Sequence, residues 1–157
     1  IVAGLPQDEH RFELALAAGA DRCVDQMKED LKAVVMEMTD NVGADKCFEC
    51  SGAVPALNKA LEIVKRKGTV VQMGVFSETH ETIWTDLILH REIVYVGSRS
   101  QKPSSWVKAL ELMRDGVVVP EKIATYLTPL ENWREGFDKM IKGEVTKGII
   151  VLDDSLQ

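Results

Sequence analysis

Two cysteines stand at a spacing that metal and redox sites use, Cys47 and Cys50 in the segment Cys47-Phe48-Glu49-Cys50. Such a pair can bind zinc or form a redox disulfide when both sulfurs reach the same side of the chain. The surrounding residues have the pattern of a β-strand, in which positions three apart point to opposite faces. We therefore predict two separate buried thiols. Cys23 makes the count odd, which is not typical of a disulfide framework and suits a reducing cytosol.

Small residues that follow apolar segments form a second set of candidates: Gly4, Ser51, Gly74 and Ser98. In open parallel sheets, ligands bind beyond the carboxyl ends of the strands. A glycine at such a position allows a ligand to approach the backbone closely. The sequence therefore predicts a ligand site formed by the four loops that begin at these residues.

The elements that would position these loops alternate between strand and helix patterns. The predicted strands are Ile1–Gly4, Arg22–Val24, Asp45–Cys50, Thr69–Val75, Glu92–Gly97 and Gly148–Leu152. The predicted helices are Glu9–Ala18, Lys28–Thr39, Val54–Lys65, Thr85–His90, Ser104–Asp115 and Leu130–Ile141. This alternation implies right-handed crossovers, so the predicted fold class is α/β with a doubly wound parallel sheet. Within it, Thr69–Val75 and Glu92–Gly97 are apolar enough to be buried strands.

The basic run Lys65-Arg66-Lys67-Gly68 follows the third predicted helix. We interpret it as a solvated helix C-terminus, where cations suit the helix dipole and glycine caps the helix. A phosphate site is the alternative, but helices bind phosphate at their other end.

Composition narrows the classes of partner. The chain has 157 residues, 45% of them hydrophobic, and a formal net charge of -6. That charge argues against nucleic acids and anionic membranes as main partners. No apolar run is long enough to span a bilayer, and we expect a cytoplasmic protein.

Four segments, taken in order, resemble a known family. They are Phe12-Glu13-Leu14-Ala15 with Ala18-Gly19-Ala20-Asp21; Gly43-Ala44-Asp45 leading to Phe48-Glu49-Cys50-Ser51-Gly52; Lys67-Gly68-Thr69-Val70-Val71 ending at Gly74; and Pro129-Leu130-Glu131 with Gly136-Phe137 and Gly143–Ile149. In this order and spacing they resemble the C-terminal half of the zinc-type medium-chain alcohol dehydrogenases. The sorbitol and threonine dehydrogenase branch is the most similar part of that family.

The resemblance implies two domains. Residues 1–118 would be a partial NAD(P)-binding Rossmann domain that lacks its first strand and its glycine-rich turn, and residues 119–157 would be the C-terminal segment of the catalytic domain. The zinc ligands of the family would lie outside this chain, and none of the three cysteines matches one. We therefore expect a fragment that is inactive alone, with no catalytic and no metal-binding residue of its own.

The resemblance also implies which residues bind the NAD or NADP cofactor. Ser51 and Gly52 would line the adenosine-to-ribose channel, although a tight turn that needs glycine explains them equally well. Met73, Gly74 and Val75 would pack against the nicotinamide. The backbone of Ser98, Arg99 and Ser100 would bind its carboxamide, and Lys147 would reach the pyrophosphate.

Gly4 occupies the position at which NAD-selective members of this fold place an acid that binds the ribose 2′-hydroxyl. Because Gly4 has no carboxylate, this position favours NADP, and Arg11 could bind its 2′-phosphate. Alternatively, Arg11 is a surface cation, and Asp8 replaces the usual acid. The choice between NAD and NADP stays open.

The function implied by the resemblance is hydride transfer between a secondary alcohol or polyol and NAD(P). A zinc-free quinone or enoyl reductase of the same superfamily is one alternative, and a non-catalytic nucleotide-binding module is another. The first strand of such a sheet is central, so its omission would leave neighbouring strand edges unpaired. We expect a homo-oligomer, a dimer or tetramer, that pairs through the strand around Glu92–Gly97.

Overall fold

The structure is a computed structural model in which residues 1–76 and 82–152 are described. Its strands are β1 Val2–Gly4, β2 Cys23–Asp25, β3 Ala44–Glu49, β4 Val64–Gln72, β5 Val94–Gly97, β6 Tyr126–Pro129 and β7 Gly148–Val151. Its α-helices are α1 Glu9–Ala17, α2 Leu31–Met38, α3 Val54–Ile63, α4 Thr85–Arg91, α5 Pro103–Arg114 and α6 Trp133–Ile141. Every predicted helix and strand is therefore present, with ends that differ by a few residues. None of the described helices is both long and apolar enough to cross a membrane.

All strand pairs in the described residues are parallel, as the alternating pattern predicts. The strands form three sheets, with the orders β1-β2, β3-β4-β5 and β6-β7. Within the described residues β1 and β3 are therefore each paired on one side only.

The chain divides into two compact units. One contains Ile1–Met27 and the residues from Gln101 onward, and the other is Lys28–Ser100. The second unit holds the larger core, in which Leu57 and Leu61 of α3 pack with Val64 and Val70 of β4. All four side chains are fully buried. This core supports the strands whose carboxyl ends carry most of the candidate residues.

The basic run 65–68 is not a helix C-terminus, contrary to our interpretation. Helix α3 ends at Ile63, and Val64 already has extended backbone angles. The run belongs to β4, where the pairing with β3 shifts register between Ala44 and Lys46. Lys67 has φ of 59°, so the extra residues form an irregularity in the strand. The strand begins at Val64, before the predicted start at Thr69, because the buried Val64 side chain packs in the core that α3 and β4 share.

Strand β5 is exposed, although its sequence predicted a buried strand. Val94, Tyr95 and Val96 expose 52%, 36% and 42% of their surface. The strand lies at the edge of its sheet and pairs only with β4 among the described strands. An apolar strand predicts burial, but the sequence does not say which partner provides it.

Candidate functional site

The turn that follows β3 is held by the side chain of Glu49. One carboxylate oxygen, Oε1, accepts hydrogen bonds from the backbone N–H of Ser51 at 2.7 Å and of Gly52 at 2.9 Å. The Ser51 hydroxyl donates to the same oxygen. Glu49 is only 3% exposed. A buried carboxylate with three donors on one oxygen fixes the conformation of the turn.

The turn that follows β4 is bound to the same residue. The backbone oxygen of Glu49 accepts hydrogen bonds from the N–H groups of Met73 and Gly74, at 2.8 and 3.0 Å. Gly52 has φ of 74°, and a Cβ built on it would lie 2.5 Å from the Val75 oxygen. A Cβ built on Gly74 would lie 2.2 Å from the Gly52 nitrogen. The two turns are therefore in direct backbone contact, and both need glycine.

The end of β5 joins this arrangement through Gln72. The backbone oxygen of Gln72 accepts a hydrogen bond from Ser98 N–H at 2.8 Å. Its side chain donates to the Gly74 oxygen at 3.1 Å and accepts from the Tyr95 hydroxyl. Three strand ends thus share one hydrogen-bond network.

The negative charge of Glu49 acts on its neighbours. Burial, and next the charge of Glu49, raise the pKa of Tyr95, whose hydroxyl donates to Gln72. The same two causes, in the same order, raise the pKa of Cys50. The network is therefore built around one buried carboxylate and neutral donors.

The predicted cofactor residues of this unit lie together at these strand ends. Ser51, Gly52, Met73, Gly74 and Val75 form the two touching turns. The Met73 and Val75 side chains are 51% and 72% exposed, so each offers an apolar surface to a ligand. Ser98, Arg99 and Ser100, which follow β5, are also exposed.

Gly4 and Arg11 lie in the other unit, close to Asp8. Arg11 Nη1 is 2.8 Å from Asp8 Oδ1. The second oxygen, Oδ2, accepts a hydrogen bond from Leu5 N–H at 3.1 Å and lies 3.1 Å from where a Gly4 Cβ would be. A carboxylate therefore stands beside Gly4 and engages the guanidinium that could bind a 2′-phosphate.

Lys147 also lies in this unit, on the segment before β7. Its side chain is exposed, and its backbone oxygen accepts a hydrogen bond from Tyr126 N–H at 3.3 Å. This hydrogen bond holds the Lys147 backbone beside β6. It does not involve the side-chain amine of Lys147.

The cysteines are separate, as the alternation of strand faces predicts. Cys47 packs against the core, and burial raises its pKa to about 11, against a smaller lowering by Arg91. Cys47 is only half-buried and Cys50 is exposed, which corrects the prediction that both thiols are buried. Its sulfur lies 3.9 Å from Met73 Sδ. In the described part of the chain, no group of three or more His, Cys, Asp or Glu residues could hold a metal ion.

An open groove of about 680 Å³ lies elsewhere in the Lys28–Ser100 unit, between α4 and the ends of α2 and α3. Its cations are already engaged, because Lys32 pairs with Glu62 at 2.9 Å and Arg91 donates to the Leu61 and Glu62 backbone oxygens. None of the predicted cofactor residues lines it. The strand-end network is therefore the better candidate site.

Sequence reasoning assigned no role to Glu49, Gln72 or Tyr95. The signal available for Glu49 was its place at the end of a strand, directly before the Cys50-Ser51-Gly52 segment. Gln72 and Tyr95 had none, because the contact between their side chains joins positions 23 residues apart and depends on strand register.

Parallel α/β sheets with their candidate ligand residues at the strand carboxyl ends define a Rossmann-like nucleotide-binding class. A family model described as zinc-binding dehydrogenase matches residues 1–115. The chain belongs to this family. The resemblance and the fold class inferred from the sequence are both confirmed.

The D-arabitol-phosphate dehydrogenase of Enterococcus avium is 43% identical over 150 residues, which cover 96% of this chain and 43% of that protein. Sorbitol dehydrogenase of Halalkalibacterium halodurans is 35% identical over 150 residues, with 96% and 44% covered. The structure of 2R,3R-butanediol dehydrogenase from Bacillus subtilis matches with a TM-score of 0.83 at 26% identity, over 96% of this chain and 43% of that chain. The chain thus spans less than half the length of these relatives.

Proposed function

We propose that this chain is the cofactor-binding portion of a zinc-dependent alcohol or polyol dehydrogenase, which transfers hydride between a secondary alcohol and NAD(P). The observation that carries the proposal is the pair of touching turns after β3 and β4, held by the buried Glu49. Family membership and the polyol dehydrogenase names of the relatives support the reaction class. A zinc-free quinone or enoyl reductase, or a non-catalytic nucleotide-binding module, remains the alternative.

In this proposal residues 1–118 form the partial Rossmann domain and residues 119–157 the C-terminal segment of the catalytic domain. The cofactor contacts are those that the resemblance implies: Gly4, Arg11, Ser51, Gly52, Met73, Gly74, Val75, Ser98, Arg99, Ser100 and Lys147. The protein is cytoplasmic in this proposal, and its other partner is a small alcohol.

The described residues include no group of three or more His, Cys, Asp or Glu side chains that could hold zinc, so the proposal places the zinc ligands elsewhere. When bound, the dinucleotide supplies the hydride acceptor or donor. The exposed Met73 and Val75 side chains would pack against the nicotinamide, and the backbone after β5 would orient its carboxamide. Since hydrogen bonds within the chain hold both glycine turns, little ordering would be needed on binding.

We infer that NAD is preferred over NADP, because the Asp8 carboxylate stands beside Gly4 and holds Arg11. A 2′-phosphate would meet a like charge there, whereas a 2′-hydroxyl would meet an acceptor. We expect Asp8→Ala to shift the ratio of kcat/KM for NADP over NAD upward by about tenfold, or about 1.4 kcal/mol. The measurement is reduction of each dinucleotide by the full-length protein with a panel of polyols and secondary alcohols.

Glu9→Ala is the matched control, since it removes an equal charge from the adjacent, exposed position. It should leave the ratio unchanged. An Asp8→Ala ratio equal to that of the wild type would contradict the cofactor assignment. A wild type that reduces neither dinucleotide with any alcohol of the panel would contradict the proposed function itself.

The oligomer we propose forms through β5. The exposed apolar edge of this strand is the kind of surface that proteins pair or protect. We expect light scattering at micromolar concentration to show a dimer or tetramer. Val96→Lys should give the monomer, because it puts a charge on the pairing strand, while Val42→Lys changes an exposed valine outside that strand and should not. A monomeric wild type would refute the interface.

A further inference from the structure

We propose that Glu49 is the positioning residue of the cofactor site, holding the two cofactor-binding turns in register without touching the cofactor. The inference rests on the proposed function and goes beyond it, because it assigns a role to a residue that forms no part of the proposed contact set. Its basis is geometric. One residue provides the acceptors for both turns, the side chain for Ser51-Gly52 and the backbone oxygen for Met73-Gly74.

Burial shows why this role is indirect. Glu49 is 3% exposed, and its second oxygen, Oε2, has no accessible surface and no hydrogen-bond partner among the described residues. A cofactor in the exposed part of the site would therefore not reach the carboxylate. Any effect of Glu49 on binding would pass through the turns that it holds.

Retaining a charge at this position is costly, because a buried carboxylate oxygen without a partner loses its hydration. A neutral amide could satisfy the same donors with its single oxygen. Charge-assisted hydrogen bonds to an ionised carboxylate are roughly twice as strong as neutral ones. We infer that the strength of these bonds, and so the stiffness of the Ser51-Gly52 turn, is what the charge provides.

The contact between the turns extends this effect to the neighbouring strand. A Cβ on Gly74 would come within 2.6 Å of both the Gly52 Cα and Glu49 Oε2. The β4 turn therefore rests directly on the β3 turn and on the carboxylate. If Ser51-Gly52 relaxed, Met73-Gly74-Val75 would lose the surface on which it packs, and the Met73 and Val75 side chains would no longer be held for a ligand.

The test compares Glu49→Ala and Glu49→Gln in the full-length protein. Glu49→Ala should speed hydrogen exchange at the Ser51 and Gly52 amides and raise the Kd for NAD by about tenfold or more, because both amides lose their acceptor. Glu49→Gln keeps one acceptor oxygen but loses the charge, so it should restore part, and not all, of the amide protection and of the affinity. The KM for NAD should rise more than kcat falls, since kcat is reached at saturating NAD and Glu49 does not contact the reacting atoms.

Glu62→Ala is the control, because it removes a charge of the same unit that pairs with Lys32 and Lys59 and contacts neither turn. Amide exchange in Glu49→Ala that matches the wild type would overturn the proposal. Faster exchange with an unchanged Kd for NAD would also overturn it, since the turns would then not govern binding. A wild type that binds no dinucleotide while Glu49→Ala loses amide protection would instead refute the proposed function and leave Glu49 a purely structural residue.

Discussion

Gly74→Ala is expected to destabilise the protein by at least about 3 kcal/mol and to abolish measurable dinucleotide binding. The added Cβ would lie 2.2 Å from the Gly52 nitrogen and 2.6 Å from Glu49 Oε2. No rotamer change relieves a clash with backbone, so the β3 and β4 turns would have to separate. The free energy of unfolding from urea denaturation, together with dinucleotide titration, measures both effects.

Gly97→Ala is the matched control, since Gly97 ends β5 and a Cβ built on it meets nothing within 4 Å. We expect its free energy of unfolding to stay within about 0.5 kcal/mol of the wild type. If Gly74→Ala were as stable as Gly97→Ala, the contact between the two turns would not exist in solution.

Gly52 and Gly74 show what the sequence could and could not predict about the site. The order of strands and helices placed Ser51-Gly52 and Met73-Gly74 at neighbouring strand ends, because carboxyl ends of parallel strands meet at one edge. The sequence also offered two reasons for glycine, ligand approach and turn geometry. The positions a Cβ would take at Gly52 and Gly74 favour the second reason, since backbone of the chain itself fills both.

Glu49 escaped sequence reasoning because its task depends on register. Its place before Ser51-Gly52 was a hint, but the sequence pattern alone does not say whether a terminal acid of a strand is solvated or buried under a turn. Pairing of Glu49 with Gln72 sets the Glu49 backbone beside Met73 and Gly74, and the side chain then turns under the Ser51-Gly52 turn. Such long-range alignment is a tertiary property, so no local propensity reports it.

The basic run 65–68 was misread for a similar reason. Three cations and a glycine after an apolar helix satisfy every local rule for a helix C-terminus. The buried Val64 side chain decides otherwise, because it packs in the core only if the strand begins there. Core burial outweighs the modest dipole and capping terms, which are worth about 0.3–1 kcal/mol each.

Leu57→Ala should be the other most damaging substitution, with an expected loss of about 2–5 kcal/mol in the free energy of unfolding. Leu57 is fully buried on α3 and belongs to the cluster with Leu61, Val64 and Val70. Removing its side chain leaves a cavity beside β4, the strand that ends at Gln72 and leads into Met73. The measurement is urea denaturation beside Leu89→Ala, the same change at a position that is 73% exposed.

Comparing Leu57→Ala with Leu89→Ala isolates the effect of core packing from that of the leucine side chain itself. Each substitution removes the same atoms from a helix of the same unit, so helix propensity and side-chain chemistry are matched. Leu89→Ala should cost less than about 0.5 kcal/mol. Equal losses would mean that α3 does not pack on β4 as described. A large loss for Leu57→Ala accompanied by weaker dinucleotide binding in the surviving folded fraction would show that the core sets the position of the strand ends, because the Leu57 side chain is too deeply buried to touch a ligand.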